Sequence, residues 1–134
     1  MYIVMCLDDD NGVLFNNRRQ SRDAKVSADI FKTSKGRLFI SEYSKTLFKR
    51  FEGVTVGEEF PYCAEDGDYC FAECEVTKDA AEKAEGFIIY HWNRKYPKDV
   101  SFDISLEELG FKLEETKEFK GSCHDKITKE VFKR

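Results

Sequence analysis

Tyr2-Ile3-Val4-Met5-Cys6-Leu7 is an unbroken apolar run, and Asp8-Asp9-Asp10-Asn11-Gly12 stops it. A strand that is apolar on both faces belongs in the interior of a sheet covered on both sides. The chain then turns through Val13-Leu14-Phe15 into Asn16-Asn17-Arg18-Arg19-Gln20-Ser21-Arg22-Asp23. That polar segment leaves the end of a central strand, where open α/β sheets place their sites.

Working outward, the pattern predicts a first helix over Arg22 to Thr33, with Ser21 as its N-cap and Asp23 at the positive end of the dipole. Val26, Ile30 and Phe31 make its inner face, and Ser34-Lys35-Gly36 ends it. Arg37 to Ile40 reads as a short buried strand. A second helix is expected from Glu42 to Arg50, capped by Ser41, with Tyr43, Leu47 and Phe51 on one face. Gly53 to Gly57 reads as a short strand, Glu58 to Asp68 as loop, and Tyr69 to Ala72 as another inner strand. Thr77 is expected to cap a short helix from Lys78 to Glu85, closed by Gly86. Phe87-Ile88-Ile89-Tyr90-His91-Trp92 is the strongest strand signal, and Tyr96-Pro97 breaks it. Ser105 and Glu108 have capping-box spacing around one turn closed by Gly110. Phe111 to Phe119 and Lys126 to Phe132 read as two strands joined through Gly121 to Asp125. The sum is a single α/β domain over residues 1–134: a mixed sheet flanked by helices, with a C-terminal antiparallel hairpin.

A chain of 134 residues with 41% apolar and 14% aromatic residues can bury a real core. Twenty-six acids against 22 bases leave a net charge of -4, so nucleic acid is not the expected partner. No basic leader precedes the first apolar run, which falls far short of the roughly 20 apolar residues a membrane helix needs. A cytoplasmic protein without a membrane partner is therefore expected. The five cysteines, Cys6, Cys63, Cys70, Cys74 and Cys123, are odd in number, and reduced thiols are the expectation. With His91 and His124 they do not fit the paired spacing of a zinc site, so no metal and no cofactor are expected.

Two stretches are candidate binding sites. In Arg18-Arg19-Gln20-Ser21-Arg22-Asp23, three guanidiniums lie close to a helix start, whose free backbone donors favour an anion. The functional reading is a pocket for phosphate, carboxylate or a short nucleotide. The ordinary reading is a solvated helix start with Arg22 and Asp23 in local ion pairs. In Trp92-Asn93-Arg94-Lys95-Tyr96, two aromatics alternate with two cations, an arrangement that can stack a ring and hold its charge. The ordinary reading is a strand end whose aromatics cover the core edge. Cys123-His124 is the one adjacent Cys/His pair. Neighbours on a strand point to opposite faces, so they form a nucleophile–base pair only if they sit in a turn.

The succession of elements resembles dihydrofolate reductase. Ile3 to Gly12 looks like that family's first strand and turn, and Arg37-Leu38-Phe39-Ile40 like its second strand. Ala84 to Phe102 followed by Gly110 to Arg134 looks like its closing part. The resemblance implies a fold, and fold alone does not carry function. The chain also departs from the reductases. Where they have a Gly-Gly pair that lets backbone approach the cofactor pyrophosphate, this chain reads Phe71-Ala72-Glu73-Cys74. Their Gly-Arg-x-Thr turn is replaced by Ser41-Glu42-Tyr43-Ser44, and the middle part is shortened to Val54 to Asp68. Asp23 and Asp29 are the candidates for the acid that grips the pteridine in that family.

A second resemblance spans the whole chain. Phe15 to Asp23, Trp92-Asn93-Arg94-Lys95-Tyr96-Pro97 and Cys123 to Glu130 look similar to stretches in a group of small bacterial proteins of unassigned role. Members of that group are often labelled ribonuclease Z. That enzyme uses a His-x-His-x-Asp-His zinc motif, and this sequence holds two histidines in all.

Three function classes follow. The first is a non-enzymatic binding protein that holds a small anionic ligand, or an acidic patch of a partner, through Arg18, Arg19, Ser21, Arg22 and Asp23, with Trp92 and Arg94 nearby. The second is a divergent reductase or nucleotide-processing enzyme, with Asp23 as acid and His91 as proton carrier. The third is an interaction or immunity-type protein that blocks a basic partner with its Asp8-Asp9-Asp10 and Glu58-Glu59 loops. No catalytic residue is assigned in the first and third, and the oligomeric state is open.

Overall fold

In the computed structural model, which describes residues 1–62 and 64–134, the chain runs β1 (Tyr2–Leu7), β2 (Gly12–Phe15), β3 (Arg18–Arg19), α1 (Ala24–Ser34), β4 (Leu38–Ser41), a 3-10 helix (Tyr43–Leu47), β5 (Thr55–Gly57), β6 (Tyr69–Phe71), α2 (Lys78–Lys83), β7 (Gly86–His91), β8 (Val100–Ser101), β9 (Lys112–Phe119) and β10 (Ile127–Lys133). Seven strands make one sheet in the order β5-β4-β6-β1-β7-β10-β9. The two-sided apolar run is thus interior, with β6 and β7 parallel to β1 on either side. β10 runs antiparallel to both β7 and β9, which is the expected closing hairpin.

Alternation along β1 divides the core into two layers. Ile3, Met5 and Leu7 pack with Ala81 and Ala84 of the α2 segment and with Phe87, Phe102 and Phe111. Val4 packs on the other face with Val26 and Ile30 of α1 and with Phe71, Ile88 and Trp92. Both faces of the central strands are covered, so an apolar run without alternation is what the position demands.

Several boundaries differ from the sequence reading. α1 begins at Ala24, and its cap is Asp23, whose carboxylate accepts from the amides of Lys25 and Val26; Ser21 lies outside the helix. The expected helix over Glu42 to Arg50 is only the 3-10 turn of Tyr43–Leu47, where Ser44 is drawn inward to donate to Glu73 at 2.7 Å. Gly86 does not end a helix but opens β7, where a Cβ would collide with the Phe132 carbonyl of β10. Phe15 to Arg18, expected as loop, is a hairpin between β2 and β3. Asn16 and Asn17 both have positive φ, 51° and 61°, which suits the twist of a two-residue turn. β3, β2 and β8 form a separate three-stranded sheet. Cys6, Cys70, Cys74 and Cys123 are free thiols, and Cys63 lies outside the described residues. Among the described residues no helix is long and apolar enough to cross a membrane.

Candidate functional site at the carboxyl ends of the central strands

Three stretches distant in sequence, Phe15 to Asp23, Trp92 to Pro97 and Cys123 to Glu130, meet beyond the carboxyl ends of β1 and β7. Asp8, the first residue past β1, is one reason they do. It is 1% exposed and accepts from the amides of Gly12 at 2.6 Å, Asp10 at 2.9 Å and Tyr96 at 3.1 Å, and from Gln20 Nε2 at 3.1 Å. Burial alone would raise its carboxyl, but the bonds from Gly12, Tyr96, Asp10 and Gln20 outweigh it and hold the carboxyl below its ordinary value. Asp8 is therefore an internal strut, which removes it from the exposed acidic loop proposed for a basic partner. Asp9 and Asp10 remain exposed.

Asp23 does the same for the far end of the chain. It is 3% exposed. Oδ1 accepts from the Ser122 amide at 2.9 Å and the Ser122 hydroxyl at 3.0 Å, besides capping α1. Oδ2 accepts from the Cys123 amide at 2.8 Å and faces His124 Nδ1 at 2.9 Å. Burial opposes the charge, yet bonds from His124, Cys123 and Ser122 overcome it and hold the carboxyl well below the usual carboxylate range. The other ring nitrogen, Nε2, lies 3.0 Å from Ser21 Oγ and 3.1 Å from the Tyr96 hydroxyl. Trp92 stacks on the imidazole with ring centroids 4.7 Å apart and planes 23° from parallel.

Arg19 forms the opposite wall. Its Nε and Nη2 donate to the two Glu73 oxygens at 2.7 and 2.9 Å, and its guanidinium lies 4.3 Å from the centre of the Tyr43 ring. Burial disfavours the Arg19 charge, but the bond and the charge of Glu73 outweigh it and strengthen its hold on the proton. Between these walls is a narrow recess of about 20 Å³, room for roughly one water-sized group. Cys6, Val26 and Phe71 line its apolar part, with Gln20, Ser21 and Arg22 among its polar groups. Burial, then the charges of Glu73 and Asp23, push the Cys6 thiol well up, so it stays protonated. Gln20 Oε1 is the one buried side-chain nitrogen or oxygen among the described residues that lacks a hydrogen-bond partner.

The expected anion site changes accordingly. The donors at the helix start are taken: Ala24 N–H by Ser122 Oγ, and those of Lys25 and Val26 by Asp23. Arg19 is spent on Glu73, and Arg18, paired with Phe15 on the β2–β3 hairpin, is exposed and does not line the recess. Arg22 alone of the three borders both the recess and a neighbouring groove, which Lys49 and Arg50 also line. Trp92 is no stacking platform for a ligand, being 5% exposed with a ring face against His124. Arg94 is exposed and lies 5.6 Å from the centre of the Tyr96 ring. His91, proposed as a proton carrier, pairs with Glu130 at 2.5 Å and does not line the recess. Asp29 is engaged by the Tyr90 hydroxyl at 2.6 Å and by Lys129 at 2.8 Å. Among the described residues no group of three or more His, Cys, Asp or Glu could hold a metal ion.

Of the residues that build the corner, His124 and Glu73 were not among the candidate binding residues read from sequence. His124 was visible only beside Cys123, whereas its partner Asp23 lies 101 positions away.

No protein-family model matches the chain, and no curated protein sequence matches it. A solved structure does: dihydrofolate reductase from Enterococcus faecalis complexed with NADP(H) and RAB-propyl. It superposes with a TM-score of 0.64 at 10% identity, over 99% of this chain and 95% of that one. The chain therefore has a dihydrofolate reductase-like fold, a mixed sheet with its closing antiparallel hairpin. At this identity the likeness extends to the fold alone. The ribonuclease Z label finds no support in these comparisons.

Proposed function

We propose that the protein binds a small anionic molecule at the recess beyond β1 and β6, without a nicotinamide dinucleotide. The observation that carries this reading is Gln20, which lines the recess bordered by Arg22 and whose buried Oε1 has no hydrogen-bond partner. A buried acceptor left without a donor costs on the order of 1–3 kcal/mol, and a ligand N–H or O–H would recover it. Arg22, with Lys49 and Arg50 beyond it, supplies the positive charge that an anionic group on the same ligand requires. The place matches the general rule for open α/β sheets, whose ligands sit outside the carboxyl ends of the strands.

A pyrophosphate fits this corner poorly. By the resemblance, Phe71-Ala72-Glu73-Cys74 takes the place of the reductases' glycine pair, and Glu73 is already held by Arg19 and by Ser44 at 2.7 Å. Bringing a second anion against that carboxylate would set like charges together in a partly buried place.

A thermal-shift screen of phosphates, nucleotides and dicarboxylates against wild type and Arg22→Ala tests the proposal. A hydrogen bond to a charged group contributes about 1.5–3 kcal/mol, so the variant should bind roughly ten- to a hundredfold more weakly. The stabilisation should fall with added salt. If no anion stabilises wild type, or Arg22→Ala responds equally, the reading fails.

A further inference from the structure

Asp23, His124 and Ser21 form a continuous line of hydrogen bonds, and the hydroxyl at its end lines the recess. We propose that Ser21 is a nucleophile with His124 as its general base, acting on a small acyl ester in that recess. This goes beyond ligand binding, and it uses the recess without depending on the anionic group.

The direction of the line follows from what Asp23 can do. A carboxylate only accepts, and each of its other partners is a donor: the amides of Lys25, Val26, Ser122 and Cys123, and the Ser122 hydroxyl. The proton between Asp23 and His124 is therefore on Nδ1. In the neutral ring this leaves the Nε2 lone pair facing Ser21 Oγ at 3.0 Å. That is the tautomer a base needs to take a hydroxyl proton, and the distance is within reach of transfer. The imidazolium that results would sit against an ionised carboxylate that five other donors hold in place. Trp92, stacked on the ring, keeps Nε2 turned toward Ser21. His124 is 7% exposed, whereas Ser21 is only partly buried, so the base is sheltered and the nucleophile reachable. Tyr96 completes the cluster, its hydroxyl 3.3 Å from Ser21 Oγ.

The chemistry balances with these groups and water. Ser21 Oγ bonds to the ester carbonyl carbon as its proton passes to Nε2. Collapse of the tetrahedral intermediate breaks the bond to the leaving oxygen, which takes the proton from Nε2 and departs as the alcohol. Water then attacks the acyl-serine by the same base and releases a carboxylic acid and Ser21. Val26 and Phe71 line the recess together with Ser21 and give it an apolar part.

The same bonds would also serve merely to tie the start of α1 to the loop before β10, and reactivity separates the two cases. Folded protein is treated with diisopropyl fluorophosphate, which forms an Oγ–P bond with loss of fluoride, and the adduct is mapped by peptide mass spectrometry. One adduct on Ser21 is expected, absent in Ser21→Ala and formed roughly a hundredfold more slowly in a folded His124→Asn. Asp23 is a positioning residue, so Asp23→Asn should lose labelling rate at temperatures where its circular dichroism shows it fully folded. An absence of Ser21 adduct at millimolar reagent, or labelling of Ser21 no faster than in urea-unfolded protein, overturns the proposal. The reagent carries no charge, so a failed anion screen leaves this outcome unaffected.

Discussion

Replacing Asp23 by Asn removes one charge and turns one oxygen into an amide while leaving shape unchanged. Oδ1 of the asparagine can still cap α1 and accept from Ser122, since Asn caps helices as well as Asp. The new NH2 group then takes the place of Oδ2 and faces the Cys123 amide and the Nδ1 proton of His124, donor against donor. Two charge-assisted bonds are lost, and at least one buried N–H has no partner. Hydrogen bonds to charged groups contribute about 1.5–3 kcal/mol against about 1 for neutral ones, and an orphaned buried donor costs on the order of 1–3 kcal/mol. Allowing for a flip of the imidazole, the loss should be roughly 2–4 kcal/mol, a Tm lower by about 6–16 °C for a chain of this size. The effect must depend on pH. The folded Asp23 carboxyl titrates well below its unfolded value of about 4, so its contribution is full above that pH and is lost as pH falls toward the folded value. Urea unfolding of both proteins should therefore show the full gap at pH 7 and a narrowing gap as pH falls from about 4 to 2.5. Equal midpoints at pH 7, or a gap indifferent to acid, would refute the role assigned to Asp23.

Arg19→Ala should destabilise by about 3–5 kcal/mol by stranding the Glu73 carboxylate, whose side chain is 9% exposed. Combining it with Glu73→Gln should restore part of that loss in a double-mutant cycle followed by urea melts. With dihydrofolate and NADPH, the pure protein should show no saturable cofactor oxidation, because the Glu73 carboxylate held by Arg19 disfavours a further anion at this corner. Alkylation of native protein, resolved by peptide, should be fast at exposed Cys123 and slow at Cys6, Cys70 and Cys74. Burial pushes the Cys70 thiol to about 12 and, together with Glu73, the Cys74 thiol to about 11. Equal rates at all four would contradict the burial.

What sequence revealed of this fold came from signals that are local or periodic. The run Tyr2 to Leu7 announced an interior strand because two-sided burial leaves no polar alternation. Thr77 was recognised as a cap because the helix after it has no competing cap nearby. At α1 two good caps, Ser21 and Asp23, stand two residues apart, and propensity does not choose between them. The choice is made by the loop before β10, which brings Ser122, Cys123 and His124 to Asp23. The β2–β3 hairpin escaped because β3 is two residues long and carries Arg18 and Arg19, with no apolar alternation to mark it. The arginine run looked like an anion site because sequence shows charge but not its partner; Glu73 is 54 positions away. The rule that sites follow central strands pointed to this corner of the fold, yet the pairings that build it span the whole chain.

The separation of 101 positions between Asp23 and His124 has a consequence for how the corner is assembled. β10 occupies the slot between β7 and β9, and the loop that carries His124 lies just before it. A chain emerging from the ribosome presents Ser21 and Asp23 long before it contains their partner. The acid must wait, and closing so long a loop is entropically demanding until β10 docks on β7. Opening of the β9–β10 hairpin in the finished protein would likewise withdraw His124 from the corner, together with the Ser122 bond to Ala24 and the Lys129 bond to Asp29 that tie this segment to α1. Exchange of the Cys123 amide, which is bound to Asp23, would then report how often the corner comes apart.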